Sequence, residues 1–284
     1  MISLLDLLER CLKESSSDYV EMRYHRRESF SVLVKDGKVE ELNSGVSNGV
    51  CARSLIQGSW GFSSTTSLER GDLVKMLKDA ESLARASRRK KKRLVKLAEI
   101  ELHVDKYKTE MKRDPKSEDL SELVEMALEA DGRTREYSKS TVSDSVRLSV
   151  VDDEITFVNS EGARITQRIV RCFGNAFVVA RSNGKLASTH ESIGAQAGLE
   201  VFDGDSILEA ALRAAERAVR VAPKRMVPGG YYQVVLENRI VGLLAHEAVG
   251  HCAEADLVYG GSFLSDKIGQ KVASDMVTLV DDGL

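Results

Sequence analysis

The chain has 284 residues, 42% apolar and 30% charged, with a formal net charge of −3. It is too apolar for a disordered chain, and its charge gives no general attraction to nucleic acid or to an anionic membrane. No apolar run approaches the roughly 18 residues that a membrane-spanning helix needs.

The first stretch, MISLLDLLERCLKE, lacks a basic leader and instead places Leu4, Leu5, Leu8, Cys11 and Leu12 on one stripe of a helix over residues 2–14. Cys11, Cys51, Cys172 and Cys252 are widely separated, with no C-x-x-C pair. Scattered thiols without an export signal predict a cytoplasmic protein. Four strand-like runs follow, at 18–26, 28–35, 38–44 and 48–57, and Asp36-Gly37 gives a two-residue hairpin signal between the second and third. Thr66 and Glu69 have capping-box spacing ahead of a helix marked by Leu73, Met76, Leu77, Ala80, Leu83 and Ala84. The basic run at 88–93 has no aromatic residues between its charges. It reads as a solvated run that complements a helix C-terminus, so nucleic-acid binding is not expected.

The next stretch repeats this layout. With an offset of 116 residues, Leu4, Leu7, Leu8 and Cys11 overlay Leu120, Leu123, Val124 and Ala127, and Val32, Val34 and Val39 overlay Leu148, Val150 and Ile155. Ser206 and Glu209 precede a closing helix whose stripe is Leu208, Ala211, Leu212, Ala215 and Val219. The predicted fold class is α+β: a duplicated helix–antiparallel meander–helix region over 1–222, each half of about four strands, divided near 1–96 and 97–222. Pro223, Pro228 and Gly229-Gly230 interrupt both periodicities and mark a boundary. Residues 223–284 then form a second domain. In it Tyr231–Leu236 and Met276–Val280 read as strands, and Asn238 as the cap of a helix through Ile240, Leu243 and Leu244.

That helix runs into His246-Glu247-Ala248-Val249-Gly250-His251, which holds two of the five histidines in the chain. Neutral imidazoles are good zinc ligands, and a neighbouring carboxylate can take a proton from water at the metal. The bland alternative is a helix whose histidines satisfy local hydrogen bonds. The spacing decides what the backbone must do. Histidines five apart lie about 140° apart on a regular α-helix, too far around to share one ion. One π-type turn, with roughly 4.4 residues, would bring them to one face. Gly250 lies where such a distortion is most easily accepted. The expectation is an i→i+5 turn around Ala248–Gly250, or a helix that ends before His251. Cys252 reads as a small buried apolar residue more readily than as a ligand, and Glu254 and Asp256 as solvated or as partners orienting an imidazole. His25, His103 and His190 read as ordinary surface or core residues, and Trp60 as turn packing.

HEAVGH after a strand and an apolar helix start, preceded by a duplicated region, resembles the TldD/PmbA family of zinc metalloproteases. It resembles the TldD branch, because the PmbA branch lacks the histidine motif. The resemblance implies Zn2+ held by His246 and His251, Glu247 as general base, and hydrolysis of small or unfolded peptides. It also implies a homodimer or a pairing with a PmbA-like subunit. Family chains are longer, and their third zinc ligand is a cysteine from a C-terminal part not present in this sequence. The expectation is therefore a truncated or split member, carrying only the beginning of the catalytic domain. The alternative function is a non-catalytic interaction subunit, or the N-terminal half of a split enzyme that needs a partner chain to complete the metal site.

Overall fold

The computed structural model describes residues 3–88 and 94–280. Contacts divide the chain into two units, Met1–Arg225 and Met226–Leu284. Most of the basic run, residues 89–93, lies outside the described residues.

The first unit opens with α1 (Leu4–Leu12), where the Ser3 hydroxyl accepts from the Asp6 backbone N–H, and buries Leu8, Cys11 and Leu12. Then come β1 (Tyr19–Lys35), β2 (Lys38–Ile56), β3 (Ser59–Thr65) and α2 (Arg70–Arg88). The short β4 (Val104–Lys108) precedes α3 (Glu122–Glu136), β5 (Thr141–Asn159), β6 (Arg164–Ser182), β7 (Lys185–Ala195) and α4 (Ser206–Val221). The repeat is thus helix–three strands–helix, twice, with β4 as an addition. The seven strands form one sheet in the order β3-β2-β1-β5-β6-β4, with β7 also on β6. Every pairing is antiparallel except β4 with β6. The two halves therefore meet at β1 and β5, in the middle of the sheet.

Three expectations need correction. The runs 18–26 and 28–35 are one 17-residue strand, and 38–44 and 48–57 lie in one 19-residue strand. Charge at Arg26-Arg27-Glu28 suggests a break, but the strand continues because Arg27 meets Asp153 across the sheet and Arg26 meets Glu28. The missing third strand of each meander follows a second tight turn. Gln57-Gly58 and Asn183-Gly184 both have positive φ at two successive residues, as Asp36-Gly37 does. That is the geometry matching the twist of paired strands. Finally, neither capping box forms. Ser67 Oγ accepts from the Glu69 N–H, and the Ser206 hydroxyl donates to the Val201 carbonyl.

Two large core clusters lie against the sheet. One gathers Leu8, Val20, Met22, Leu73, Leu77 and Val158; the other gathers Val32, Val34, Leu123, Leu148, Cys172 and Phe202. Fully burying a side chain of this size contributes about 1.5–3 kcal/mol. The buried positions of β1, β5 and β6 in these clusters are all even-numbered. With a side-chain period of two, odd-numbered positions of the same paired strands face the other way.

The second unit has α5 (Asn238–Ala245), a single π turn (His246–Gly250), α6 (His251–Ala253) and α7 (Ala255–Gly260). The strands expected at Tyr231–Leu236 and Met276–Val280 do not form; neither has a ladder partner among the described residues, and a lone strand leaves its backbone groups unpaired. No described helix is long and apolar enough to cross a membrane.

Candidate metal centre

α5 starts at Asn238, after Glu237 in extended backbone, so the helix begins at the expected asparagine although that residue is not its cap. At its other end the hydrogen-bond ladder widens. The His251 N–H donates to the His246 carbonyl, an i→i+5 bond, and the backbone stays right-handed throughout. This is the turn that the histidine spacing demands. It sets the two imidazoles with ring centroids 4.4 Å apart and planes at 63°. A Cβ built on Gly250 would lie 3.4 Å from His246 Nδ1, so glycine keeps one side of that ring open.

His246, Glu247 and His251 each offer a ligand atom, and these atoms lie within 4.8 Å of one another. His251 Nε2 is 3.6 Å from Glu247 Oε2. Atoms sharing a tetrahedral zinc at about 2.0–2.2 Å are roughly 3.4 Å apart, so two imidazole nitrogens within 4.8 Å of each other need only small side-chain rotations to share one ion. The chemistry also fits zinc: two imidazoles that can ligate the ion, with a carboxylate beside them placed to serve as a base. It is the one such group found among the described residues.

Glu254, just past α6, adds a feature that the spacing alone left open. Its Oε1 accepts from His251 Nδ1 at 2.6 Å. That bond requires the proton on Nδ1 and leaves Nε2, on the Glu247 side, with its lone pair free for a metal. The same bond holds the His251 pKa above its ordinary value; desolvation opposes it, and the nearby charges of Glu254 and Glu247 add to the rise. Cys252 turns away: its thiol lies 3.8 Å from the Ala248 carbonyl. Asp256 Oδ1 accepts from the Leu257 N–H and has no contact with an imidazole. His25 bonds to Asp153 on the sheet, His190 lies on β7 opposite Phe177, and the His103 carbonyl pairs with Arg164. Trp60 packs edge-on against Tyr19 and carries Arg53 over its ring.

A helix with a π turn that gathers two imidazoles and a glutamate, set after a duplicated α/β region, defines a metallopeptidase-like chain. Residues 20–84, 113–221 and 229–284 match, in turn, domain 1, the central domain and the C-terminal domain of the PmbA/TldA metallopeptidases. The chain belongs to the PmbA/TldD family. Metalloprotease MJ0996 of Methanocaldococcus jannaschii is 35% identical over 98% of this chain and 60% of its own length. A metalloprotease of Methanothermobacter thermautotrophicus is 32% identical over 95% of this chain and 58% of its own. A zinc metalloprotease TldD homolog of Saccharolobus solfataricus is 22% identical over 88% and 53%. This chain thus spans little more than half the length of these relatives. In fold it is similar to TldE of Thermococcus kodakarensis, with a TM-score of 0.65 at 17% identity over 93% of this chain and 58% of that one.

Proposed function

We propose that this chain contributes the histidine-bearing half of a zinc-dependent peptidase acting on small or unfolded peptides. The observation that carries the reading is the π turn at His246–Gly250, which a plain helix has no reason to contain and which puts both imidazoles beside Glu247. His246 and His251 hold the ion, and Glu254 orients His251 through Nδ1. Zinc bound there supplies Lewis acidity toward a peptide carbonyl and lowers the pKa of nearby water. Glu247 accepts the proton of the attacking water and returns it to the leaving amine.

A catalytic zinc takes three protein ligands, and a third ligand of cysteine type, as the family resemblance implies, comes from outside these 284 residues. The second reading follows from that donor set. Alone, the chain is a non-catalytic interaction subunit or the N-terminal half of a split enzyme that needs a partner chain to complete the metal site. The test measures bound zinc and hydrolysis of an unstructured peptide, with the chain alone and with a full-length relative of the PmbA type added. Glu247→Gln is expected to keep zinc and lose hydrolysis at least 100-fold. Equal zinc content in wild type and in a His246→Ala, His251→Ala double variant would overturn the assignment.

A further inference from the structure

The odd-numbered face of β1 and β2 carries a groove of about 570 Å³ that the metal centre does not use. Its wall is Arg23, His25 and Arg27, successive outward positions of β1. Its floor is Ser47, Gly49 and Cys51, which pair with those three residues across the ladder. Two long cationic side chains, with the His25 imidazole between them, thus stand beside a row that is nearly without side chains, and the trough between them stays open.

The charges around it do not balance. Arg53 is paired with Glu21 at 2.7 Å. Asp153, opposite Arg27 on β5, is the carboxylate that serves the remaining cations. Its Oδ1 takes His25 Nε2 at 2.7 Å and Arg27 Nε at 2.7 Å; its Oδ2 takes Arg27 Nη2 at 3.1 Å and Arg171 Nη1 at 3.0 Å. The Asp153 side chain is 4% exposed, whereas Arg27 and Arg171 are 49% and 50% exposed. One buried carboxylate therefore fixes two guanidinium groups and an imidazole, and leaves their other N–H donors in solvent. Arg23 has no carboxylate within 4.0 Å among the described residues. Three arginines against one aspartate leave a surplus of two positive charges, in a chain whose net charge is −3.

We infer that this groove binds the C-terminal carboxylate of an extended peptide, with Arg23 and Arg27 as its charged contacts. Asp153 holds Arg27 in place, which lowers its ordering cost on binding, and Arg23 brings a guanidinium fork without a carboxylate partner that matches a carboxylate. The floor's Ser47 hydroxyl offers a hydrogen bond for peptide groups behind the carboxylate. The volume lies within the range of sites for small organic ligands and far exceeds what one free oxyanion fills. The peptide assignment rests on the peptidase reading; the anion chemistry does not.

The experiment is equilibrium binding of a short N-acetylated peptide to the 284-residue chain with EDTA present. Removing metal separates this site from hydrolysis, so either result can fail while the other holds. Acid and C-terminal amide forms are compared, with inorganic phosphate in a parallel titration. The acid is expected to bind at least 10-fold more tightly than the amide. Arg23→Gln, which removes no ion pair of the fold, is expected to erase that difference, whereas Lys224→Gln keeps it. Equal binding of acid and amide, or of wild type and Arg23→Gln, would overturn the site. Phosphate binding more tightly than the peptide acid would overturn the peptide as occupant.

Discussion

Replacing Asp144 by asparagine should stabilise this protein above neutral pH and flatten its pH dependence. Asp144 on β5 and Asp131 on α3 are 1% and 0% exposed, and their carboxyl oxygens have no close hydrogen-bond partner. The nearest compensation is Arg135 Nε, 3.4 Å from Asp131 Oδ2 on a side chain 47% exposed. Burial pushes the Asp144 pKa from 3.8 up to about 7, and the charge on Asp131 adds to that, while Arg135 opposes it. Burial raises Asp131 as well. Between the ordinary and the folded pKa the folded state holds a proton that the unfolded state has released. Stability from this group is therefore complete below about pH 4 and is lost as pH rises through about 7. A shift of roughly three pKa units at about 1.4 kcal/mol each sets an upper limit near 4 kcal/mol; relaxation around a coupled pair brings the expectation to about 2 kcal/mol. Asparagine keeps the shape and removes the titration. Urea unfolding of both proteins at pH 5 and pH 8.5 measures it, since other titrating groups cancel in the difference. The variant should gain about 2 kcal/mol relative to wild type between the two pH values. An equal change in both proteins would refute the reasoning.

Asp153 behaves in the opposite sense: although burial opposes ionisation, bonds from Arg27 and His25 hold its pKa down to about 2, so its contribution is present above pH 3.8 and lost as pH falls toward 2. Asp153→Asn should cost about 1–3 kcal/mol at pH 7, read from denaturant midpoints, because it leaves arginines without their shared acceptor. Gly61→Ala should cost about 3 kcal/mol or more in thermal unfolding, since its Cβ would come within 1.9 Å of the Ala80 carbonyl where α2 crosses β3. Glu254→Gln should weaken zinc binding roughly 10-fold, followed by competition with a chromophoric chelator, because the bond orienting His251 loses its charge.

Family and local chemistry were legible in the sequence for the same reason: both reside in short segments. His246 and His251, five apart, can face one ion only if the helix widens, so the i→i+5 turn follows from backbone geometry within six residues. Asp36-Gly37 fixes a hairpin in the same local way, and Asn183-Gly184 carried an equally readable signal. The repeat was visible as helix–meander–helix, but its strand count was not. Whether Arg26-Arg27-Glu28 ends a strand or sits inside one depends on Asp153, which lies more than a hundred residues away and meets Arg27 only once β1 and β5 pair. The same holds for Asp131 and Asp144. Each looks like an ordinary exposed carboxylate in sequence, and only the packing of α3 against the sheet takes both out of water together. Glu254 lies between these cases: its spacing from His251 is local, but a bend after α6 decides that its carboxylate reaches Nδ1. Sequence determines what a turn of backbone must do, whereas the charge of a buried group is settled by the neighbours that tertiary folding brings to it.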